Sequence, residues 1–473
     1  MTGPMTSSIL IGSPVETPRT VHKPASPSEW IWVPYVWLFI ASTRGLSNWF
    51  QSGSHTAIDP DVSGSPLDRA VLTLLILLAF IVLHSRAERT RQILSRNKWL
   101  IVLFFYMLAS VLWSNFPAIS FRRCMRSMGT FVVVLVVLTE GEPLEAMGTL
   151  LRRLYLVCIP LSIVAIKYFR NIGVYYNWSG VEEQWMGLST DKNSLGQVAM
   201  CSGLFFTWRI LQNWNRQRLS VDLLLLVLTL WLLRGSKTSH SSTAIIGFII
   251  GVVVLFGLQY IKKRAADAKR IILGATMALI LLAPLGYLAF EAFDTTPVGM
   301  VLEATGRDMT LTDRTLLWAD VLNNAAKSPV AGVGFGAFWV GEIGYAMYPL
   351  PNWSRKTPGW RPGEAHNGYV DIYVDLGLIG LALVLIIISV GFAGALDDLQ
   401  NEFEMGRIRL VLLLSIIMNN ITESTLLKGP YSLWFLFLLV AVNIPKRDSE
   451  DTFEKGGADS NRSTNHYGLA NEW

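Results

Sequence analysis

Charged residues are scarce in this chain of 473 amino acids. Asp, Glu, Lys and Arg make up 16% of it, whereas 51% is hydrophobic and the mean hydropathy is +0.39. A soluble domain of ordinary composition carries more charge, about 25% of its residues. The composition therefore predicts a protein for which the lipid bilayer is the main solvent.

Cysteine is also scarce. Cys124, Cys158 and Cys201 lie in or beside apolar runs and lack the spacing of metal ligands, so free buried thiols are expected. The net charge of +5 comes from small basic clusters between apolar runs and not from one continuous basic stripe. This pattern favours a membrane surface as the partner and excludes the usual footprint of a nucleic-acid-binding protein.

The first 29 residues lack the basic start, apolar run and cleavage site of a signal peptide. They are rich in Pro, Ser and Thr, a composition typical of a disordered tail. Residues 446–473 are polar throughout and predict a second tail. We expect the folded part of the protein to lie between these two segments.

Long apolar runs dominate the remainder of the chain. Crossing the hydrocarbon core takes roughly 20 apolar residues in a helix. By this measure the sequence predicts an all-α, polytopic integral membrane protein of about twelve spans. Their approximate cores are 31–47, 67–85, 99–114, 124–139, 150–168, 195–212, 219–233, 242–260, 271–290, 372–396, 408–423 and 430–444.

The orientation follows from the basic loops, because short loops rich in Lys and Arg stay in the cytoplasm. The densest are RAERTRQILSRNK, RILQNWNRQR and IKKRAADAKR, and all three follow even-numbered spans. Both termini are therefore predicted to be cytoplasmic. The long connection 291–371 is predicted to be periplasmic. Arg122, Arg123 and Arg126 conflict with the rule, since they fall at the outer end of span four.

The long outer connection contains two unusual stretches. TLTDRTLLWADVLNNAAKSP predicts a short helix lying on the membrane, with Thr312 as its N-cap and Arg314 near the lipid headgroups. GVGFGAFWVG then follows from Gly332. Its glycines resemble a nucleotide-binding loop, but no strand-turn-helix pattern surrounds them. Glycines that let backbone approach backbone or phosphate are the preferred interpretation.

Two shorter outer connections also carry basic residues. GLSTDKNSLGQ contains Lys192 and Asn193, and LLRGSKTSHSSTA contains Arg234 and Lys237. A single basic side chain at a membrane edge usually extends towards headgroups. Several such groups beside helix ends and glycine-rich backbone instead favour a site for a lipid-linked pyrophosphate, whose oxygens accept charge-assisted hydrogen bonds.

These motifs, followed by EAHNGYVDIYVDLGLIG, give the chain a resemblance to a known family. Their order over roughly 185–445 resembles the Wzy-type polysaccharide polymerase and O-antigen ligase superfamily, and in particular the ExoQ-type exopolysaccharide polymerases of rhizobia and their relatives. The resemblance implies a GT-C-like membrane glycosyltransferase at the periplasmic face of the bacterial inner membrane. Its donor and acceptor would be glycans on undecaprenyl pyrophosphate. A chain-length regulator (co-polymerase) is a further partner that it leaves open.

The resemblance also implies roles for individual residues. His366, followed by Asn367, matches the histidine proposed to activate an acceptor hydroxyl, and Arg314 matches an arginine that holds the pyrophosphate. Many relatives have Ser-Arg where this chain has Ser236-Lys237, which puts bidentate binding of a phosphate at this position in doubt. Arg234 is the residue that could compensate. Lys192 and Asn367 complete the expected pyrophosphate site.

The chemistry expected of His366 is that of a general base. A neutral imidazole with its unperturbed pKa of about 6.5 suits proton removal near neutral pH. Either Glu364 or Asp371 could orient the ring. Neither a cofactor nor a metal is expected, because the outer loops show no clustered carboxylate motif.

Other interpretations stay open at this point. His366 could instead be a structural histidine that caps the next helix, and His240 is its main competitor as the functional histidine. An O-antigen ligase would share the donor site and the base. A flippase or secondary transporter fits the span count, but it would place ionisable residues near the bilayer midplane.

Overall fold

The computed structural model describes residues 27–50, 65–176, 182–212, 219–262, 314–359 and 361–445. Predicted span 271–290, residues 291–313 of the predicted connection 291–371, and both predicted tails apart from residues 27–29 lie outside the described residues. Within them the chain is mostly helical. The helices up to residue 173 are α1 (Trp32–Ser42), α2 (Leu46–Phe50), α3 (Pro66–Ser85), α4 (Ala87–Arg96), α5 (Lys98–Ser110), α6 (Pro117–Leu138), α7 (Pro143–Tyr168) and α8 (Arg170–Gly173).

The second half contains the longest helix. Its helices are α9 (Lys192–Gln212), α10 (Leu219–Arg234), α11 (Ser242–Ile261), α12 (Arg314–Ala325), α13 (Gly341–Met347), α14 (Pro351–Lys356), α15 (Gly368–Asn401), α16 (Phe403–Asn419) and α17 (Ser432–Ala441). Short 3₁₀ turns cover Glu29–Ile31 and Val111–Trp113. Every predicted span outside 271–290 overlaps one of these helices.

Four of the described helices are long and apolar enough to cross a membrane: α3, α7, α11 and α15. A fifth span results if α4 and the helical stretch from Lys98 to Trp113, which meet at 86°, are counted together. Apolar side chains on α3 such as Phe80 and Ile81 are 53% and 61% exposed, as expected of a lipid-facing surface. The chain has the character of a polytopic membrane protein, and twelve spans stay a prediction.

Three local features differ from the predictions. The first span ends at Ser42, because the Arg44 guanidinium leaves the helix to donate to the carbonyls of Ile172 and Ser189. The basic loop after span two is itself the helix α4, which Ile93 anchors in the core. The all-α prediction misses a small antiparallel sheet of β1 (Val174–Tyr176) and β2 (Glu183–Trp185), whose aromatic and β-branched residues favour extended backbone.

The described part of the predicted outer connection, residues 314–359 and 361–371, forms most of a second small core. Leu317, Trp318 and Val321 of α12 are buried against side chains such as Phe338 and Trp353. The apolar face of α12 therefore packs against protein, and the location of this helix on the membrane stays a prediction. Trp318 Nε1 also donates to the carbonyl of Ala365 at 2.8 Å. In this way α12 fixes the backbone directly before His366.

The glycine-rich stretch packs against a kink in α15. Gly377 breaks the helix with a φ of 66°, and a Cβ there would lie 2.2 Å from the carbonyl oxygen of Val330. Gly332 has a φ of 71° and comes equally close to the backbone of Asp375. Only glycine allows such approaches at positive φ. These glycines therefore serve contact between backbones, as the preferred interpretation held.

Candidate functional site

The start of α15 is held against the turn that follows α16. Gly368 N donates to the carbonyls of Asn420 and Glu423 at 2.9 and 3.0 Å, and a Cβ on Gly368 would lie 2.5 Å from Asn420 Oδ1. Asn367 Oδ1 accepts from the amides of Tyr369 and Val370, so Asn367 is the N-cap of α15. Its side-chain oxygen caps the helix, and the predicted pyrophosphate contact of Asn367 stays a prediction.

His366 lies at this junction with a left-handed backbone, φ 50°. Non-glycine residues in this region are uncommon and cluster at functional sites. His366 Nδ1 is 3.1 Å from Glu364 Oε1 and 3.5 Å from Glu423 Oε2. Both are ion-pair distances, although Nδ1 makes no well-aligned hydrogen bond within the described ranges. The imidazole thus faces two carboxylates, and its side chain is 27% exposed.

The two carboxylates set the protonation of His366. Burial lowers the pKa of the imidazole, but Glu364 and Glu423 outweigh it and raise this pKa to about 9. Burial likewise raises the pKa of Glu364, and Lys428 and His366 overcome this to lower it to about 2. The expected unperturbed histidine pKa of about 6.5 is therefore wrong for this site. At neutral pH the substrate-free imidazole is mostly protonated.

Arg314 meets His366 through Glu423. Arg314 Nη2 lies 3.2 Å from Glu423 Oε1, and Nη1 donates to the carbonyl of Thr422. Asn193 Nδ2, in the first turn of α9, donates to the same Oε1 at 2.9 Å. Three elements distant in sequence thus converge on one buried carboxylate. Arg314 is thus connected to His366 through Glu423.

Lys428 forms the opposite side of the site. Its Nζ lies 2.8 Å from Glu364 Oε2 and 3.0 Å from Asp371 Oδ2. These carboxylates outweigh the effect of burial and raise the pKa of Lys428. Asp371 Oδ1 accepts from Trp339 Nε1 and Ala365 N. Of the two predicted orienting residues, Glu364 therefore adjoins the imidazole, while Asp371 acts on Lys428 and on the backbone before His366.

The contacts form a continuous series in which charges alternate. It runs in the order Arg314, Glu423, His366, Glu364, Lys428 and Asp371. With His366 protonated, the three cations and three anions balance. Such balance is needed where charges are largely removed from water.

The same side chains could also hold a metal ion. Ligand atoms of Glu364, His366 and Glu423 lie within 4.8 Å of one another. The motif search in the sequence missed this set, because Glu423 comes from a different connection. A divalent metal would have to replace the proton on His366, and Arg314 and Lys428 lie beside the same carboxylates.

The other predicted basic residues lie around a neighbouring turn. Lys192 Nζ donates to Ser239 Oγ at 2.8 Å and pairs with Glu182 at 3.3 Å. Arg234 and Lys237 are exposed and form no ion pair within the residues that the structure describes. His240 is exposed in the same turn. Lys192 therefore connects this turn to Asn193 and the site, whereas Arg234 and Lys237 form no ion pair with the cluster around His366 among the described residues.

Glu423 and Lys428 are the site residues that sequence reasoning missed. Both lie in the stretch NNITESTLLKGP, in which Glu423 is the last residue of predicted span 408–423 and Lys428 lies in the connection to the last predicted span. A signal was present, since this stretch places one acidic and one basic residue at the predicted outer edge of the membrane. The packing of the turn after α16 against Gly368 brings Glu423 beside His366, and Lys428 connects to His366 through Glu364.

Comparisons with known proteins support the resemblance that the motifs predict. Residues 230–385 match a family model described as O-antigen ligase, a range that includes Arg314, Glu364 and His366. The match supports a likeness to the Wzy-type polymerase and O-antigen ligase superfamily. The chain is also 26% identical, over 312 residues, to the exopolysaccharide production protein ExoQ of Rhizobium meliloti (strain 1021). That alignment covers 64% of this chain and 66% of the relative.

The predicted resemblance, including its ExoQ-like character, is confirmed. The apolar helices indicate a multi-pass membrane protein, and the family model and the relative support a likeness to polysaccharide polymerases and ligases. Glu423 and Lys428 lie beyond the matched range of the family model. The functional reading of these two residues rests on their contacts alone.

Proposed function

We propose that the protein polymerises oligosaccharide repeat units carried on undecaprenyl pyrophosphate. The product would be an exopolysaccharide or an O-antigen-type polysaccharide, made at the periplasmic face of the inner membrane, with both termini in the cytoplasm. One observation carries the proposal: His366 lies between two carboxylates in a cluster that also contains Arg314. A base and an anion-binding group are the two parts that this transfer needs.

Arg314 would bind the pyrophosphate of the donor. In the substrate-free site its guanidinium pairs with Glu423, and Asn193 donates to the same carboxylate. Groups that converge on a carboxylate are also suited to the oxygens of a phosphate. Donor binding would exchange Glu423 for phosphate at Arg314. The guanidinium could then stabilise the charge that grows on the leaving group.

His366 would be the general base. Nδ1 faces Glu364 and Glu423, so Nε2 is the nitrogen left to take a proton. The acceptor hydroxyl oxygen forms a bond to the anomeric carbon, and its proton passes to Nε2. The bond from that carbon to the phosphate oxygen breaks, and its electron pair leaves with the lipid pyrophosphate. Attack opposite the leaving group would invert the anomeric carbon.

An O-antigen ligase is the second candidate, because the matching family model carries that description. It would use the same donor site and base and hand the glycan to a different acceptor. The glycan that accumulates in cells distinguishes the two functions. Loss of a polymerase leaves single lipid-linked repeats, whereas loss of a ligase leaves long chains that are not attached to their acceptor. A flippase is less compatible with an acid-base cluster at the ends of helices.

The first test is transfer by purified protein with lipid-linked repeats. His366→Ala and Arg314→Ala should each lower the rate at least about a hundredfold, because base catalysis and charge stabilisation each contribute about that much. Arg361→Ala and His240→Ala are matched controls, since both side chains are exposed in outer segments. Wild-type rates in either site variant would contradict the proposal.

The same assay tests the requirement for metal. We propose that the proton on His366, and not a divalent metal, balances Glu364 and Glu423. Excess chelator should then leave the rate unchanged. A loss that magnesium or manganese restores would instead assign the Glu364, His366 and Glu423 set to a metal.

A further inference from the structure

A cavity of about 120 Å³ lies beside the cluster around His366. It opens between the first turns of α15, the outer end of α6 and the turn that contains Lys428, and Glu364 forms part of its wall. One water molecule needs roughly 10–15 Å³ of such space. The cavity can therefore admit a ligand much larger than water, of the size of a sugar ring.

The charges around the cavity cancel. Three cationic side chains and three carboxylates line it: Arg123, Arg126, Lys428, Glu364, Asp371 and Asp375. A pyrophosphate would require an excess of positive charge, which this lining lacks. Trp339 and Tyr431 add aromatic surface. A mixed lining of aromatic and convergent polar groups suits a neutral, hydroxyl-rich ligand.

Asp375 carries a polar atom without a partner. Its Oδ2 accepts from Gly336 N at 2.8 Å, whereas its buried Oδ1 has no hydrogen bond within the described residues. Leaving a buried acceptor unpaired is energetically costly. A sugar hydroxyl in the cavity would supply the missing donor.

Arg123 and Arg126 explain a conflict in the sequence. They lie at the predicted outer end of α6, where basic residues are not expected. Arg123 Nη1 donates to the carbonyls of Gly336 and Trp339 at 2.6 and 2.9 Å and so holds the wall that carries Trp339. Arg126 lines the cavity. The position of both arginines is therefore explained by the cavity that they help to form, and not by the orientation of the chain in the membrane.

We propose that this cavity binds the acceptor sugar, with Asp375 as a residue that determines specificity. The inference rests on the proposed function. Arg314 stands at one end of the series of contacts. Lys428, which lines the cavity, comes after His366 and Glu364 in the same series, on the side away from Arg314. A displacement at the anomeric carbon needs its nucleophile and its leaving group on opposite sides. The cavity is accordingly the place from which an acceptor hydroxyl reaches both His366 and the donor.

Gly363 offers a way to block the cavity. It lines the space, and a Cβ added there would meet no atom within 4 Å. Gly363→Trp should therefore fill the cavity without disturbing the backbone, and Gly363→Ala is the matched control. The probe is the repeat-unit oligosaccharide released from its lipid pyrophosphate by mild acid. Binding is measured by calorimetry on the full-length protein in nanodiscs.

We expect wild type, Gly363→Ala and Arg314→Ala to bind the free oligosaccharide equally well. Gly363→Trp and Asp375→Leu should bind it at least about tenfold more weakly, a difference of about 1.4 kcal/mol. Undecaprenyl pyrophosphate without sugar should show the reverse pattern, weakened by Arg314→Ala and unaffected by Gly363→Trp. Failure of Arg314→Ala to weaken that lipid would count against the proposed function and not against the cavity.

Equal binding of the oligosaccharide to Gly363→Trp and Gly363→Ala would overturn the acceptor site. No binding to the wild type would do the same. Loss of undecaprenyl pyrophosphate binding in Gly363→Trp would also overturn it, because the cavity would then belong to the donor.

Discussion

The helices α15 and α16 run side by side and carry buried charge at both ends of the pair. At one end His366 and Glu423 meet Arg314 and Glu364. At the other end Arg409 of α16 pairs with Asp398 of α15. The two ends share the same helices and similar residue types. Their difference shows what separates a functional cluster from a structural one.

The Arg409 end is closed. All three guanidinium nitrogens donate, to Asp398, to the carbonyls of Val440 and Val442, and to Asn443. The side chain is 2% exposed, which leaves no room for a ligand. A buried polar atom without a hydrogen-bond partner does not by itself identify a functional site. Arg407 Nε and Nη2, on the same helix, also lack hydrogen-bond partners within the described residues.

The His366 end is open. Its imidazole is 27% exposed, Nδ1 faces two carboxylates without a well-aligned hydrogen bond, and a cavity adjoins Glu364. Charge, incomplete pairing and space occur together there. This combination, and not buried charge by itself, supports the proposed site.

The largest effect that should separate the two ends concerns stability. Arg409→Ala leaves Asp398 without its partner, and breaking a buried pair costs about 3–5 kcal/mol. His366→Ala removes a partly exposed side chain and should cost much less. Thermal unfolding of both purified variants in detergent measures the difference. Equal melting temperatures of the two variants would contradict the interpretation that Arg409 stabilises the fold while His366 serves function.

The next effect is the dependence of the rate on pH. Neutral His366 is the active form, and the two carboxylates stabilise the protonated form, so kcat/KM should rise about tenfold per pH unit until about pH 9. Glu364→Gln removes one of these carboxylates and should shift the rise to lower pH. A midpoint near 6.5 in the wild type, or an unchanged midpoint in Glu364→Gln, would show that the carboxylates do not raise the pKa of His366.

The smallest effect concerns the shape of the cation at Arg314. Lys keeps the charge but lacks the planar fork that binds two phosphate oxygens. Arg314→Lys should therefore show less than about half of the wild-type rate, while still exceeding Arg314→Ala. Full activity in Arg314→Lys would mean that charge alone suffices.

The sequence was a good guide to the helices, and it pointed to four of the six residues in the series of contacts around His366. Apolar runs located the helices, because burial in lipid or protein requires length and hydropathy that are visible in one dimension. His366, Arg314 and Glu364 were predicted within one connection and its boundary. Glu423 and Lys428 were not, since they reach the site only through the packing of the turn after α16 on Gly368.

The protonation of His366 was also beyond the sequence. A pKa depends on which charges lie within a few ångströms, and Glu423 is distant along the chain. The cap at Asn367 was also not evident from the motif, which suggested only a ligand contact, whereas the side-chain oxygen caps a helix. Motifs pointed to this region, and the contacts were needed to assign roles to its residues.

The most direct test of the account is the fate of lipid-linked repeats in cells that carry His366→Ala. Synthesis and flipping upstream stay intact, so single repeats should accumulate facing the periplasm while long polymer disappears. Access of a periplasmic glycosidase to the repeats in spheroplasts measures their side. Normal polymer would contradict the role of His366, and repeats confined to the cytoplasmic side would contradict polymerisation as the function.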